Sequence, residues 1–192
     1  EEILPSAQVL LLYFIYNGTV EITTSQVAKE LGLTPTSISR ASRQLEKLGL
    51  IQTMKTGKQK IIYSDSSPKE LFERTQQKLL NPVKKTVYIP KNCVTSELLE
   101  SGYFALAHYT MLNVPQIKCF AIDSISRWKD VMTNNLLDSE NQMAVEMWRY
   151  NPHLLSKEDK VDELSLALSL RDDADERVEA AVDEMLEKLW GK

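Results

Sequence analysis

The sequence is poor in the residues that build metal centres, disulfide frameworks and nucleotide cradles. Its two cysteines, Cys93 and Cys119, stand far apart and outside any CxxC spacing. That speaks against a zinc site and a disulfide scaffold alike, and suits a reducing cytoplasm. Its two histidines, His108 and His153, belong to no HExxH pattern and have no partnered cysteines, so no metal or catalytic site is expected at them. His108, among apolar helical neighbours, reads as a packing residue. The six glycines form neither GxGxxG nor GxxxxGK[ST], which removes Rossmann and P-loop nucleotide binding. No apolar run approaches the roughly 18 residues of a membrane span, LLLYFIY being far too short. There is no signal-peptide pattern, and the start at Glu1, without a methionine, leaves room for missing N-terminal residues. The acidic run Asp172-Asp173-Ala174-Asp175-Glu176 lacks the alternating oxygen ligands and glycine of a calcium loop. It is expected to be a solvated turn that places negative charge at a helix start. No catalytic residue, cofactor or metal is expected, and an enzyme is not the reading.

What is present is an ordinary globular composition, 43% hydrophobic and 26% charged over 192 residues, with charge divided unevenly. Residues 1–92 carry 13 Lys and Arg against 8 Asp and Glu, a net of +5. Residues 93–192 carry 10 against 19, a net of −9. Most of the basic excess falls in residues 34–63, where Arg40, Arg43, Lys47, Lys55, Lys58 and Lys60 face only Glu46. An acidic protein with its cations gathered on one short stretch has the electrostatic footprint of nucleic-acid binding.

That stretch has a readable shape. SAQVLLLYFIY, residues 6–16, is an almost wholly apolar helix that must be covered on most sides, with surplus apolar surface that could meet a second subunit. Val20-Glu21-Ile22 is a short extended piece expected to pair with a later hairpin. TSQVAKEL follows as a helix, Thr23 capping it with Gln26 three residues on, Val27, Ala28 and Leu31 forming its inner face and Gly32 ending it. Thr34 caps the next helix and Pro35 takes its first position, where the missing N–H costs nothing. Along residues 35–48, Ile38, Ala41, Leu45 and Leu48 share a buried face. Thr36, Ser37, Ser39, Arg40, Arg43, Gln44 and Lys47 lie opposite. LIQTMK and QKIIYS then form a hairpin with Thr56 and Gly57 at its tip. Two helices joined by a tight turn and backed by a hairpin make a winged helix. Thr36, Ser37 and Arg40 are the candidates for base contact in a major groove about 12 Å wide. Ser39, Arg43 and Lys47 are candidates mainly for phosphate contact, joined by Thr23 and Ser25 and by the wing lysines Lys55, Lys58 and Lys60.

The run VAKELGLTPTSISRASRQLEKLGLI and the hairpin after it resemble the winged-helix domain of MarR-type bacterial transcriptional regulators. The resemblance covers about 60 residues. It implies a homodimer that reads operator DNA with the second helix in the major groove and the wing beside it. The wing departs from the family pattern, which carries an Asp-x-Arg element where this chain has MKTGKQKIIYS, with lysines only.

Beyond residue 66 the organisation changes. PKELFERTQQKL, residues 68–79, is expected to be a connecting helix with Leu71, Phe72 and Leu79 inward, a dimerisation helix being the alternative. From Val83 strands and helices alternate: strand VKKTVYIP, a long helix SELLESGYFALAHYTML capped by Thr95 or Ser96, strand IKCFAID, and helix SISRWKDVM capped by Ser124. The strand MAVEMWRYN and helices over 161–170 and 175–190 complete the chain. Trp128, Trp148, Tyr103 and Tyr109 are expected to be core, with a small-molecule pocket as the alternative. This half loosely resembles the C-terminal domain of abortive-infection antitoxin-like regulators, which join a winged helix to a degenerate nucleotidyltransferase-like domain. A working nucleotidyltransferase needs a Gly-Ser pair and closely spaced carboxylates, and here Gly102 is followed by Tyr103.

The expected fold is therefore α+β: a winged helix-turn-helix over 1–66, a connecting helix over 67–82, and a mixed α+β regulatory or oligomerisation domain over 83–192. The expected function is a cytoplasmic DNA-binding transcriptional regulator, a homodimer on double-stranded DNA with no membrane partner and an unknown effector or protein partner at the second domain. A winged helix used as a protein-interaction module is the alternative.

Overall fold

The computed structural model describes residues 1–191, and the chain divides into two compact units, Glu1–Leu80 and Asn81–Lys192. The first unit opens with helix α1 (Pro5–Tyr16), whose Pro5 occupies the first helical turn. Ala7 through Leu12, Phe14 and Ile15 are all buried, and α1 packs against α3 (Pro35–Lys47) and α4 (Pro68–Thr75). The surplus apolar surface of α1 is thus used inside the protomer.

Strand β1 (Ile22–Thr23) leads into α2 (Thr24–Leu31), where the Thr23 side chain accepts from the Gln26 N–H at 3.2 Å. Gly32 ends α2 at φ +65°, a left-handed conformation that costs a residue with a Cβ about 1 kcal/mol or more. Thr34 caps α3 by accepting from the Ser37 N–H at 3.1 Å. Strands β2 (Gln52–Thr56) and β3 (Gln59–Tyr63) then form the wing, and β1 adds to β3 with Ile22 opposite Ile62. The wing tip is Gly57-Lys58, one residue further along than expected, because Thr56 pairs with Gln59 and leaves a two-residue loop with Gly57 at φ +64°. Helix α4 starts with a full capping box between Ser67 and Glu70. It is shorter than expected, giving way at Gln76–Lys78 to a 3-10 turn. Gln8 in α1 bonds both the carbonyl and the N–H of Leu80, at 2.9 and 2.6 Å, fastening the end of the unit to its first helix.

The second unit is built on a four-stranded sheet in the order β4 (Val83–Pro90), β7 (Gln142–Trp148), β6 (Cys119–Ile122), β5 (Leu99–Glu100). Only β6 and β7 run parallel. Helices α5 (Gly102–Tyr109), α6 (Glu163–Leu170) and α7 (Glu176–Trp190) pack against one another. Along β7 the alternation places Met143 and Val145 in a core with Val87, Ile89, Phe120, Ile122 and Trp128. Ala144 and Glu146 point to the opposite face, where their neighbours in register are Tyr88, Cys119 and Ala121.

Of the helices expected here, one is shortened to α5 and one is absent. Residues 96–101 do not join α5, because Leu99 and Glu100 pair with Ala121 and Phe120 of β6. The Glu100 N–H is taken by the Asp159 carbonyl at 2.8 Å, the Ser101 N–H by the Cys119 carbonyl at 2.9 Å, and Gly102 turns the chain at φ +56°. Thr95 and Ser96 therefore cap nothing long. Residues 124–132 hold only a 3-10 turn at Ser126–Trp128, with Trp128 drawn into the core and the Ser124 hydroxyl 3.2 Å from that of Ser126. Both elements had helical spacing, and long-range hydrogen bonds and one buried indole overrode it. Along α7 one apolar face holds Val178, Ala181 and Met185, which are buried, and Val182, Leu186 and Leu189, which are half-buried. Among the described residues, no helix is long and apolar enough to cross a membrane.

Candidate nucleic-acid interface

Helix α3 buries Ile38, Ala41 and Leu45 and turns its other side outward. Thr36, Arg40, Arg43 and Lys47 recur at steps of four, three and four, so they form one stripe opposite that core. All four are exposed, while Ser37 and Ser39 flank the stripe and are half-buried. At about 1.5 Å per residue the stripe is roughly 16 Å long, enough to follow a groove over several base pairs.

The wing supplies a second set of cations, and strand register decides where each goes. Lys55 lies directly opposite Lys60, so both side chains share one face of the hairpin. The Lys60 ammonium donates to the Ser42 hydroxyl of α3 at 3.0 Å, and that hydroxyl donates to the Ser39 carbonyl at 3.0 Å. Wing and helix are thereby tied together by a charged side chain. Burial pulls the Lys60 ammonium below its ordinary value; Glu46 opposes this, and the positive charges of Arg43 and Lys55 add to it. Lys58, at the tip, and Lys55 are exposed. Arg43, Lys55 and Lys60 are therefore one cluster that places residues from helix and hairpin side by side.

Thr23 and Ser25 stand at the start of α2, their hydroxyls 3.3 Å apart, with Thr23 occupied as the cap. Lys47, its side chain 75% exposed, pairs with the Glu1 carboxylate at 3.2 Å, and this pairing holds Glu1 below the usual carboxylate range. Exposed pairs of this kind contribute about 0–1 kcal/mol and exchange readily.

One residue assigned to the outer face belongs inside. Gln44 is buried, accepting from the Leu4 N–H at 2.7 Å and donating to the Glu2 carbonyl at 2.9 Å. It clamps the segment before α1 along α3. Its position was readable, since it lies three residues after Ala41 and four before Leu48, on the edge of the apolar stripe. Leu48 itself is only half-buried, as the residue that closes the helix. Ser42 as the acceptor for Lys60 carried no sequence signal. Between the N-terminal segment and α3 runs an open cavity of about 540 Å³ lined by Leu4, Arg40, Arg43 and Lys47 among others.

The histidines sit elsewhere, in the second unit. His108 is not a core residue: it is partly exposed and its Nδ1 lies 2.6 Å from the Glu100 carboxylate. The His153 ring bonds the Glu97 carbonyl at 2.7 Å. Among the described residues, no group of three or more His, Cys, Asp and Glu is placed to hold a metal ion. Trp128 and Trp148 are core, as expected, whereas Tyr103 is exposed and the half-buried Tyr109 donates its hydroxyl to the Val161 carbonyl at 2.8 Å.

Comparison with known proteins agrees with this geometry in the first unit. The model of the MarR family matches residues 4–59, a span from the segment clamped by Gln44 to the first residue of β3. Neither the curated proteins nor the solved structures yielded a match to the chain. MarR proteins are winged-helix transcriptional regulators, not enzymes, and they bind DNA, usually as dimers. Residues 4–59 of this chain are similar to the winged-helix domain of the MarR family.

Proposed function

We propose that the protein is a transcriptional regulator that lays α3 in the major groove of double-stranded DNA and sets its lysine-bearing wing on the flanking backbone. The observation that carries this reading is the cluster of Arg43, Lys55 and Lys60, contributed by helix and hairpin together. In the free protein these cations repel one another, with Glu46 the one carboxylate among the charges acting on Lys60. A phosphate placed among them removes that repulsion and releases counterions. Thr36, Ser37 and Arg40, at the N-terminal half of the stripe, take the base edges. Ser39, Arg43, Lys47, Thr23, Ser25, Lys55, Lys58 and Lys60 hold the backbone.

In this reading residues 1–66 read DNA, residues 67–82 connect, and residues 83–192 regulate or oligomerise. One helix reads about half a site, so the working form is a homodimer on a pseudo-palindrome in the cytoplasm. Fluorescence anisotropy on promoter duplexes at several salt concentrations tests it. Affinity is expected to fall steeply with salt, and Arg40→Ala with Arg43→Ala to abolish most of it. Affinity indifferent to salt, or unchanged in that double variant, sinks the proposal. No shift at low salt together with a stable protein partner would favour instead an interaction module working through the acidic residues 93–192.

A further inference from the structure

The second unit contains a cavity of about 520 Å³ on the sheet face opposite its main core. That volume is in the range of small-molecule sites. Its walls are apolar, with Ile117, Leu136 and Leu170, and Tyr88 and Tyr103 contribute aromatic rings. Two of its lining residues are acidic, Glu146 and Asp173, and no Lys, Arg or His is among them. A polar-tipped apolar pocket of one charge sign selects its ligand by charge.

Glu146 is the group built into this site. Its Oε1 accepts from the Ser101 hydroxyl at 2.5 Å and from the Trp148 indole N–H at 3.1 Å, and the Cys119 thiol donates to the same carboxylate. These three donors come from the turn before α5, from β7 itself and from β6, so the carboxylate is held from three elements. Its Oε2 is turned toward Gly102, lying 3.8 Å from where a Cβ there would stand. Gly102 itself lines the cavity, and its missing side chain leaves open the space beside that oxygen. At the rim the Tyr103 hydroxyl donates to Asp173, which sets a second carboxylate beside an aromatic ring. Burial pushes the Glu146 carboxyl above its ordinary value, and no cation is among the groups acting on it. A carboxylate sunk among neutral donors lacks the partner that would best repay its desolvation.

We propose that this cavity binds a small organic cation, a primary amine with an apolar or aromatic body, its ammonium against Glu146 and its body between the tyrosines and the aliphatic wall. An ammonium supplies the donors and the opposite charge, while the walls bury its carbon skeleton. An anion would meet two carboxylates and no cation. The inference is independent of the DNA-binding reading.

Calorimetric titration of the full chain with 2-phenylethylamine and tryptamine, each beside its alcohol counterpart, tests it. The amines are expected to bind at least about tenfold more tightly than the alcohols. Glu146→Gln retains an oxygen for both Ser101 and Trp148 while losing the charge, and should bring each amine down to the level of its alcohol. Asp173→Asn, at the rim, should weaken the amines severalfold and leave the alcohols unchanged, and it stands in should Glu146→Gln not fold. Equal binding of amine and alcohol, no amine binding, or amine affinity unchanged in a folded Glu146→Gln overturns the proposal.

Discussion

The two units treat charge in opposite ways. The first displays its cations: Arg40, Arg43, Lys47, Lys55 and Lys58 are all exposed, while Lys60 is folded back onto Ser42. The second unit lies in the acidic half of the chain and keeps most of its acids in water, yet it buries Asp162 and Glu163 and holds the half-buried Glu146 among a serine, an indole and a thiol. Exposed charges keep their hydration until a partner arrives, so they contribute little to stability and much to association. A buried charge bears its desolvation in the free protein, so it alters stability and the pH at which that stability is held. The same residue classes therefore predict different experiments in the two regions.

The largest effect is expected where the exposed cations meet DNA. Removing Arg40 and Arg43 together should weaken binding by about 2–6 kcal/mol, since each base or phosphate contact of this kind is worth roughly 1–3. The same double variant should unfold within about 0.5 kcal/mol of the parent, because neither side chain is buried. A large loss of stability would break the contrast, for it would mean that the stripe on α3 also holds the fold.

Next in size is a change of backbone at Gly102. An alanine there would sit in the left-handed region with its methyl 3.0 Å from the Cys119 sulfur. Strain and crowding together should cost about 2–3 kcal/mol in urea unfolding. Cys119→Ala in the same chain should return part of that loss, because it removes the nearest atom, and additive effects would show that the crowding is not at Cys119.

Glu146→Gln sharpens the comparison through pH. The folded protein raises the Glu146 carboxyl above 4.5, chiefly by burial, so the folded state favours the protonated form. The groups facing it are Ser101, Cys119 and Trp148, and burial raises the thiol of Cys119 as well. The sign follows from linkage: the stabilisation is complete below the unfolded value and is lost as pH rises through the raised folded value. Glutamine has no proton to lose. Melting curves between pH 4.5 and pH 8 should therefore show the variant gaining on the parent by about 1–2 kcal/mol as pH rises, within the desolvation cost of a buried polar group. A difference that stays constant with pH would place Glu146 in water.

The first unit was legible because its boundaries are local. Thr23, Gly32, Thr34, Pro35 and Ser67 act on backbone groups within a few residues of themselves, so sequence spacing alone locates both ends of α2 and the starts of α3 and α4. In the second unit the strands VKKTVYIP and MAVEMW were readable from alternation, but residues 96–101 were not. Their state depends on Asp159 and Cys119, which are distant in the chain, and nothing in the run SELLES announces those partners. The site divides in the same way. The stripe from Thr36 to Lys47 follows from helical period, whereas the turn of Lys60 toward Ser42 follows from strand register and the approach of two elements. The cavity around Glu146 is the extreme case, since its three donors come from three separate segments.

The smallest effect separates two neighbouring lysines of the wing. Lys58 is exposed at the tip with no neighbour tying it down, while Lys60 gives a hydrogen bond to Ser42 and stands near Arg43 and Lys55. A tip lysine that meets one phosphate releases about one counterion, so Lys58→Gln should lower the salt slope by about 1 and affinity by about two- to fivefold. Lys60→Gln removes a charge that repels Arg43 and Lys55 in the free protein, and glutamine still reaches a hydroxyl. Its loss of DNA affinity should be smaller than that of Lys58→Gln, with the remaining cations relieved of a like-charged neighbour. Equal losses of affinity in the two variants would mean that the repulsion among Arg43, Lys55 and Lys60 is negligible in the free protein, so that Lys60 counts at the phosphate as Lys58 does.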